Sequence, residues 1–292
     1  MALASTQTGK LLEGMLYEMH MHTPMCNHAR GEPEEYAAAA QARNLTGIVV
    51  TCHNPTNDGW SSSTRMGVGE FDDYVALVDA ARQAWAGRVD VRLGLESDYV
   101  PGQEAWLEQL HGMAELHHVL GSVHPHLPQY KERYFQGDPI AFQRTYFEHL
   151  ALAAETGLFD TLSHPDLVKV VYPAEWDVAR VLDTICLSLD RIAATGTAME
   201  LNTSGLLQPV PEIYPGSHML QEMQRRGIPV VIGADAHDPH RVAADFEAGL
   251  DQLHAVGYTH VSNFLDRQRR DIPIDVARAS LHACSDTTGD RG

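Results

Sequence analysis

Apolar and polar positions follow one another along the chain in blocks of two kinds. Short runs rich in aliphatic and β-branched residues fall at 16–21, 47–51, 91–95, 118–122, 159–163, 198–202, 229–234 and 260–264. Between them, residues 33–43, 70–86, 101–116, 139–156, 176–195, 217–226 and 240–256 return to apolar positions every three or four residues. The first set predicts strands and the second amphipathic helices. Ser217 stands where a helix N-cap belongs, and Gly227 where the chain would leave that helix. Strands alternating with helices predict a parallel sheet with crossover connections, so either a barrel or a doubly wound sheet.

The polar residues separate these two architectures. His20 and His22, His53, Glu96, His124, His164, Asn202, and Asp235 with His237 each fall within a few residues of the C-terminal end of a predicted strand. In a barrel all those ends share one face, where the loops build the active site. A doubly wound nucleotide-binding fold needs a glycine-rich turn after the first strand, and "HMHTPMCNH" is nothing of the kind. The pattern therefore predicts an α/β barrel.

In "YEMHMH" the side chains of His20 and His22 leave the strand on one face, about 7 Å apart at their Cα atoms. Neutral imidazoles and carboxylates are the ligands that zinc, manganese and iron(II) accept. Buried imidazoles crowded at one rim without a cation would each need another partner for their ring nitrogens. Two carboxylates among neutral rings carry little charge, so several divalent ions would leave the pocket positive. That matters because the whole chain is acidic, with 39 Asp and Glu against 21 Lys and Arg, a formal charge of −18. An anionic substrate needs such a local positive centre, and a nucleic-acid groove would need a basic footprint that is absent.

Composition adds a few bounds. At 292 residues and 44% hydrophobic, the chain can bury a sizeable core as one barrel. No apolar run approaches the roughly 18 residues needed to span a bilayer. The first residues lack the basic start and apolar centre of a secretory signal. Residues 17–282 read as a single domain between a loose leader (1–16) and a flexible tail (283–292). Cys26, Cys52, Cys186 and Cys284 show no framework spacing, so free thiols in a reducing cytoplasm are expected. Of the 17 histidines, His111, His117, His118, His149, His218, His254, His260 and His282 read as surface residues without a role.

The stretches "MHMHTPMCNHARGEPEEY", "TCHNP", "GLESDYVPG", "GSVHPH", "FDTLSHPDLVKV", "MELNTSGLLQPVPEIYP" and "IGADAHDPHRV" resemble, in order, the motifs of the polymerase-and-histidinol-phosphatase (PHP) superfamily, and most closely its histidinol-phosphatase branch. The resemblance runs from Tyr17 to Tyr258. It implies a distorted (β/α)7 PHP-type, TIM-like barrel with three divalent metal ions (Zn, Mn or Fe). By motif, one ion would take His20, His22, Glu96 and Asp235. A second would share Glu96 and add His124 and His164, and the third would take His28, His53 and His237. The strand ends point to these same residues except His28, which only the resemblance supplies. The implied chemistry is hydrolysis of a small phosphate monoester, L-histidinol phosphate above all, by cation-activated water held at His20, His22, Glu96 and Asp235.

Other roles are expected from residue type and position. Arg144 and Lys169 are candidates for the phosphate, and Asn202 and Thr203 for binding substrate or orienting a ligand. Glu18 and Asp98 are candidates to receive the substrate's ammonium, and His126 to protonate the leaving oxygen. The sequence departs from the branch in three places. Cys52 precedes His53 where an acidic residue usually orients the ring, so the third ion is expected to bind less tightly. Leu207 and Gln208 replace a basic pair, and the loop "PHLPQYKERYFQGDP" replaces an aromatic-glycine segment. Two other readings keep the ligand set: turnover of a different phosphate ester, such as a nucleotide or sugar phosphate, and a non-catalytic metal-binding domain.

Overall fold

The computed structural model describes residues 16–282; the tail and all of the leader except Leu16 lie outside these residues. Seven parallel strands run in sequence order: β1 (Tyr17–Glu18), β2 (Gly47–Val50), β3 (Asp90–Asp98), β4 (His118–Ser122), β5 (Thr161–Leu162), β6 (Ala198–Asn202) and β7 (Val230–Gly233). Their crossovers carry α1 (Pro33–Ala42), α2 (Phe71–Ala84), α3 (Glu104–His111), α4 (Pro128–Tyr134), α5 (Pro139–Glu155), α6 (Leu182–Thr195) and α7 (Ser217–Arg225). After β7 come α8 (Phe246–Ala255), β8 (His260–Leu265), β9 (Gln268–Pro273) and α9 (Ile274–His282).

The named strands do not close into a continuous ring. β1 returns to the far side of the sheet through one parallel bridge, Met21 to Ala236, with His22 N–H donating to Ala236 O at 2.9 Å and Ala236 N–H to His20 O at 3.1 Å. At the other end β7 pairs with β8 through Val231 and Ser262. The result is a distorted seven-stranded barrel, knitted shut only at the rim that carries the histidines. Below that rim the interior is filled by Tyr17, Met19, Val49, Ala198, Val231, Phe264 and Leu265, which pack as a cluster of their own. Outside the barrel wall, the second and larger core joins the helices to the sheet.

Several element boundaries differ from the sequence reading. β9 is an antiparallel partner of β8, unforeseen because "QRRDIP" buries only Ile272 among its six residues. α3 is half the expected span, and the expected 176–195 helix begins only at Leu182, after two 3-10 turns at Pro173–Glu175 and Val178–Arg180. The helix expected over 240–256 likewise starts at Phe246, after a 3-10 turn at Pro239–Arg241. Ser217 is the first helical residue and Gly216 occupies the N-cap. Gly227, at φ +65°, makes the left-handed exit expected of it.

Candidate metal centre

Each strand end delivers its side chains to the same rim. His20 and His22 follow β1, His53 follows β2, Glu96 lies near the end of β3, and His124 and His164 follow β4 and β5. Asp235 and His237 follow β7, and His28 comes from the loop after the 3-10 turn Pro24–Cys26. Two of these positions are bent into the left-handed region that non-glycine residues avoid, His164 at φ 27° and Asp235 at φ 48°. Such strain collects where side-chain aim matters more than backbone comfort.

The atoms these residues present fall into groups. His20 Nε2, His22 Nε2 and Asp235 Oδ1 lie 3.0 to 3.5 Å apart. Glu96 Oε2 is 3.6 Å from His20 Nε2 and 3.5 Å from His22 Nε2. The other oxygen of Glu96 faces His124 Nε2 at 3.2 Å and His164 Nε2 at 3.0 Å. His237 Nε2 and His28 Nε2 meet at 3.0 Å, and the His53 ring centroid is 5.3 Å from that of His28. The structure thus brings all nine proposed ligands together, with Glu96 between groups.

The outward nitrogens of several rings are already committed. His20 Nδ1 is held by Glu200 Oε1 at 2.7 Å, His28 Nδ1 by Cys26 O at 2.7 Å and His237 Nδ1 by Asp235 O at 3.0 Å. His124 Nδ1 is held by Asp98 Oδ1 at 2.5 Å. An imidazole that donates from Nδ1 keeps a lone pair at Nε2, so these rings point lone pairs at one another. Glu96 Oε2 and His53 Nδ1 are buried 2.6 Å apart yet lack a hydrogen-bonding alignment. More acceptors than protons converge here, and a donor set of imidazole and carboxylate suits divalent cations. The residues fit the metal centre.

Electrostatics agrees with this reading. Burial alone would neutralise Glu96, but His53, His124 and His20 hold it well below the usual carboxylate range. Asp235 is lowered the same way, against burial, by His20, His22 and His237. His124 resists burial through Asp98 and Glu96 and is pushed up to about 9. Without a cation these carboxylates keep their charge by drawing protons onto neighbouring imidazoles such as His20 and His124; divalent ions would take the place of those protons and leave the rings neutral.

Two supporting residues were not anticipated. Glu200, fully buried in β6, holds His20 with one oxygen and with the other accepts His164 N–H at 2.8 Å. A Cβ at Gly233 would lie 2.3 Å from Glu200 Oε1, so only glycine lets that carboxylate reach His20. The signal in the sequence is a carboxylate inside the apolar run "AMELN". Arg65 is 4% exposed and grips Asp98 through Nε and Nη2 at 2.9 Å each, which positions the carboxylate that holds His124. Its signal was indirect: a buried Asp98 demands a cation, and "SSSTRM" holds one.

The substrate assignments need correction. Arg144 lies on the exposed face of α5, donates to Arg180 O at 3.1 Å and does not line the cavity above the metal ligands. Lys169 is fully buried but its ammonium is taken by Asp166 at 2.7 Å and Glu212 at 2.8 Å, 3.6 Å over the Tyr214 ring. Asn202 caps the turn at Ser204 and donates to Glu200, and Thr203 donates to Ala244 O at 2.7 Å. None of the four lines the cavity above the metal ligands. Glu18 receives the backbone N–H groups of His20, Ala234 and Ala243, with burial pushing it up to about 7, and Asp98 is saturated by Arg65 and His124. Cys52 Sγ sits at Thr23, 3.5 Å from N and 3.6 Å from O, and does not orient His53. His117, His118 and His149 are buried and not surface residues.

The cavity holds about 740 Å³. Beyond the ligands its walls include Thr64, Arg65, His126, Ser204 and Gln208, with Leu127, Leu167, Val170, Pro209 and Tyr214 as the apolar side. Arg65 is the one Lys or Arg among these lining residues.

A sequence model of the PHP domain matches residues 18–204. The chain belongs to the PHP domain family. A probable histidinol-phosphatase of Deinococcus radiodurans is 37% identical to this PHP protein over 249 residues, covering 83% of the chain and 94% of the relative. The histidinol-phosphatase of Bacillus subtilis is 25% identical, covering 80% and 97%. The crystal structure of histidinol phosphate phosphatase from Lactococcus lactis, complexed with zinc, L-histidinol and phosphate, superposes with a TM-score of 0.73 at 18% identity, covering 87% of this PHP protein and 98% of that chain. That likeness shows the same distorted barrel.

Proposed function

We propose that this PHP protein is a metal-dependent phosphatase that hydrolyses L-histidinol phosphate to L-histidinol and phosphate, and so serves histidine biosynthesis. The observation that carries the reading is Glu96, whose two oxygens face separate imidazole groups at a rim where lone pairs outnumber protons. The relatives' names supply the substrate.

His20, His22, Glu96 and Asp235 would hold one ion, Glu96, His124 and His164 a second, and His28, His53 and His237 a third. Divalent ions there would lower the pKa of bound water and offset the charge on the phosphoryl oxygens. Glu200 fixes the His20 tautomer, and the Arg65–Asp98 pair fixes that of His124. Leu127, Leu167, Val170 and Tyr214 offer a dry wall for an imidazole ring. His126 borders the cavity, but burial and the neighbouring His124 and His164 lower it to about 3, so it stands neutral and is a poor proton donor to the leaving oxygen.

The partner is a small phosphate ester. The formal charge of −18 argues against nucleic acid, and no helix among the described residues is long and apolar enough to cross a membrane. Free Cys26, Cys52 and Cys186 support a cytoplasmic location.

One observation favours a second reading, a different small phosphate ester. Glu18 and Asp98, the carboxylates expected to receive an ammonium, are both fully engaged. Phosphate release from histidinol phosphate, a nucleotide and a sugar phosphate by zinc-, manganese- or iron-loaded protein decides between the two. Histidinol phosphate should be turned over fastest, and a faster sugar or nucleotide phosphate would favour the second reading.

A further inference from the structure

The third group of ligands differs from the other two. Those share Glu96, and Asp235 adds a second carboxylate to one of them. His28, His53 and His237 are all imidazoles, so a dication among them would meet no anionic ligand. Beside them lies Cys26, fully buried at the end of the 3-10 turn Pro24–Cys26. Its Sγ and one ring nitrogen each of His28 and His237 lie within 4.8 Å of one another, near enough for one cation to draw them together. The turn places sulfur and ring jointly, because Cys26 O accepts from His28 Nδ1 at 2.7 Å and Asn27 leaves the turn at φ 64°. Cys26 also neighbours His22 and Cys52. His22, however, turns its Nε2 to His20 and Asp235, and Cys52 Sγ sits at the Thr23 backbone, 3.5 Å from N and 3.6 Å from O.

We propose that the Cys26 sulfur is a fourth protein ligand of the third ion and makes that site prefer zinc to manganese. The inference rests on the three-ion reading of the rim. The cation displaces the thiol proton to solvent, and the thiolate supplies the negative charge that three neutral rings lack. Sulfur is a soft ligand that zinc accepts readily, whereas manganese is suited to carboxylate and water oxygen. The two carboxylate-bearing groups use no sulfur, so the preference is confined to the third site.

Cobalt(II) reads the bond directly, since thiolate bound to cobalt gives a near-ultraviolet charge-transfer band that imidazole and carboxylate do not. Wild-type protein titrated with cobalt should bind three ions, the band arriving with one of them. Cys26→Ser should lose the band and hold its third ion about 100-fold more weakly, while Cys52→Ser keeps the band. X-ray absorption fine structure of the zinc-loaded wild type should show one sulfur, at about 2.3 Å, for every three zinc ions. These wild-type spectra decide the matter even where a variant fails to fold. Three bound ions with neither band nor sulfur would overturn the inference and spare the three-ion reading. Fewer than three ions in the wild type at saturating zinc and cobalt would overturn both. A band that survives in Cys26→Ser and vanishes in Cys52→Ser would also overturn the inference, by moving the bond to the other thiol.

Discussion

Two populations of buried histidine share this barrel. At the rim, His20, His22 and His124 face carboxylates and one another's lone pairs. Away from it, His118 leans on a neutral hydroxyl, Thr161 at 2.9 Å, and so does His149, on Tyr130 at 2.7 Å, whereas the carboxylate that His117 meets at 2.7 Å, Asp266, is exposed. Burial is alike in the two sets. Partner chemistry separates them, because a hydroxyl can supply either the proton or the lone pair that a neutral imidazole needs. A ring facing another ring's lone pair needs a cation.

The sharpest way to break this comparison is at the shared carboxylate. Glu96→Gln should cut phosphatase activity about a thousandfold and reduce bound metal together; an active, fully loaded variant would remove Glu96 from its bridging place. Next in size is Lys169→Met, which strands the buried Asp166 carboxylate without its cation. Chemical denaturation should show a loss of about 3–5 kcal/mol, and a wild-type midpoint with a raised KM would return Lys169 to the substrate. Asp98→Asn, which loosens His124, should weaken metal affinity by about 10–100-fold in a competition titration with a chromophoric chelator.

The off-site histidines give a pH test with a definite sign. Burial lowers His118 to about 3 and His149 to about 4, so the unfolded chain binds protons below its ordinary histidine pKa that the fold refuses. Stability from these groups is present above about pH 6.5 and drains away as pH falls towards 4, by up to about 3 kcal/mol per ring. His149→Gln should therefore flatten the fall of the urea midpoint across that window in metal-free protein, and an unchanged slope would contradict the burial argument. The smallest effect belongs to Arg144→Ala, whose kcat/KM should stay within about twofold of wild type because the side chain sits on an outer helix face.

The rim was legible in the sequence because strand periodicity and parallel topology place every C-terminal strand end on one face, and chemistry-bearing residues stood at those ends. His28 was not legible from spacing, since it comes from a loop after a 3-10 turn. Arg144 and Lys169 misled because closeness in sequence to a ligand does not decide which way a side chain turns. Lys169 lies five residues after His164, yet its ammonium points between Asp166 and Glu212. Arg65 and Glu200 were hidden for opposite reasons, one in an irregular loop without periodicity and the other in an apolar strand that reads as core. The β8–β9 hairpin escaped because a solvent-facing strand carries little apolar pattern.

Anomalous scattering from crystals grown with zinc tests the convergence of the nine ligands most directly. Three peaks per chain are predicted, two of them sharing Glu96 and the third among His28, His53 and His237. A rim without peaks at saturating zinc, or a single ion that leaves Glu96 uncoordinated, would contradict the account.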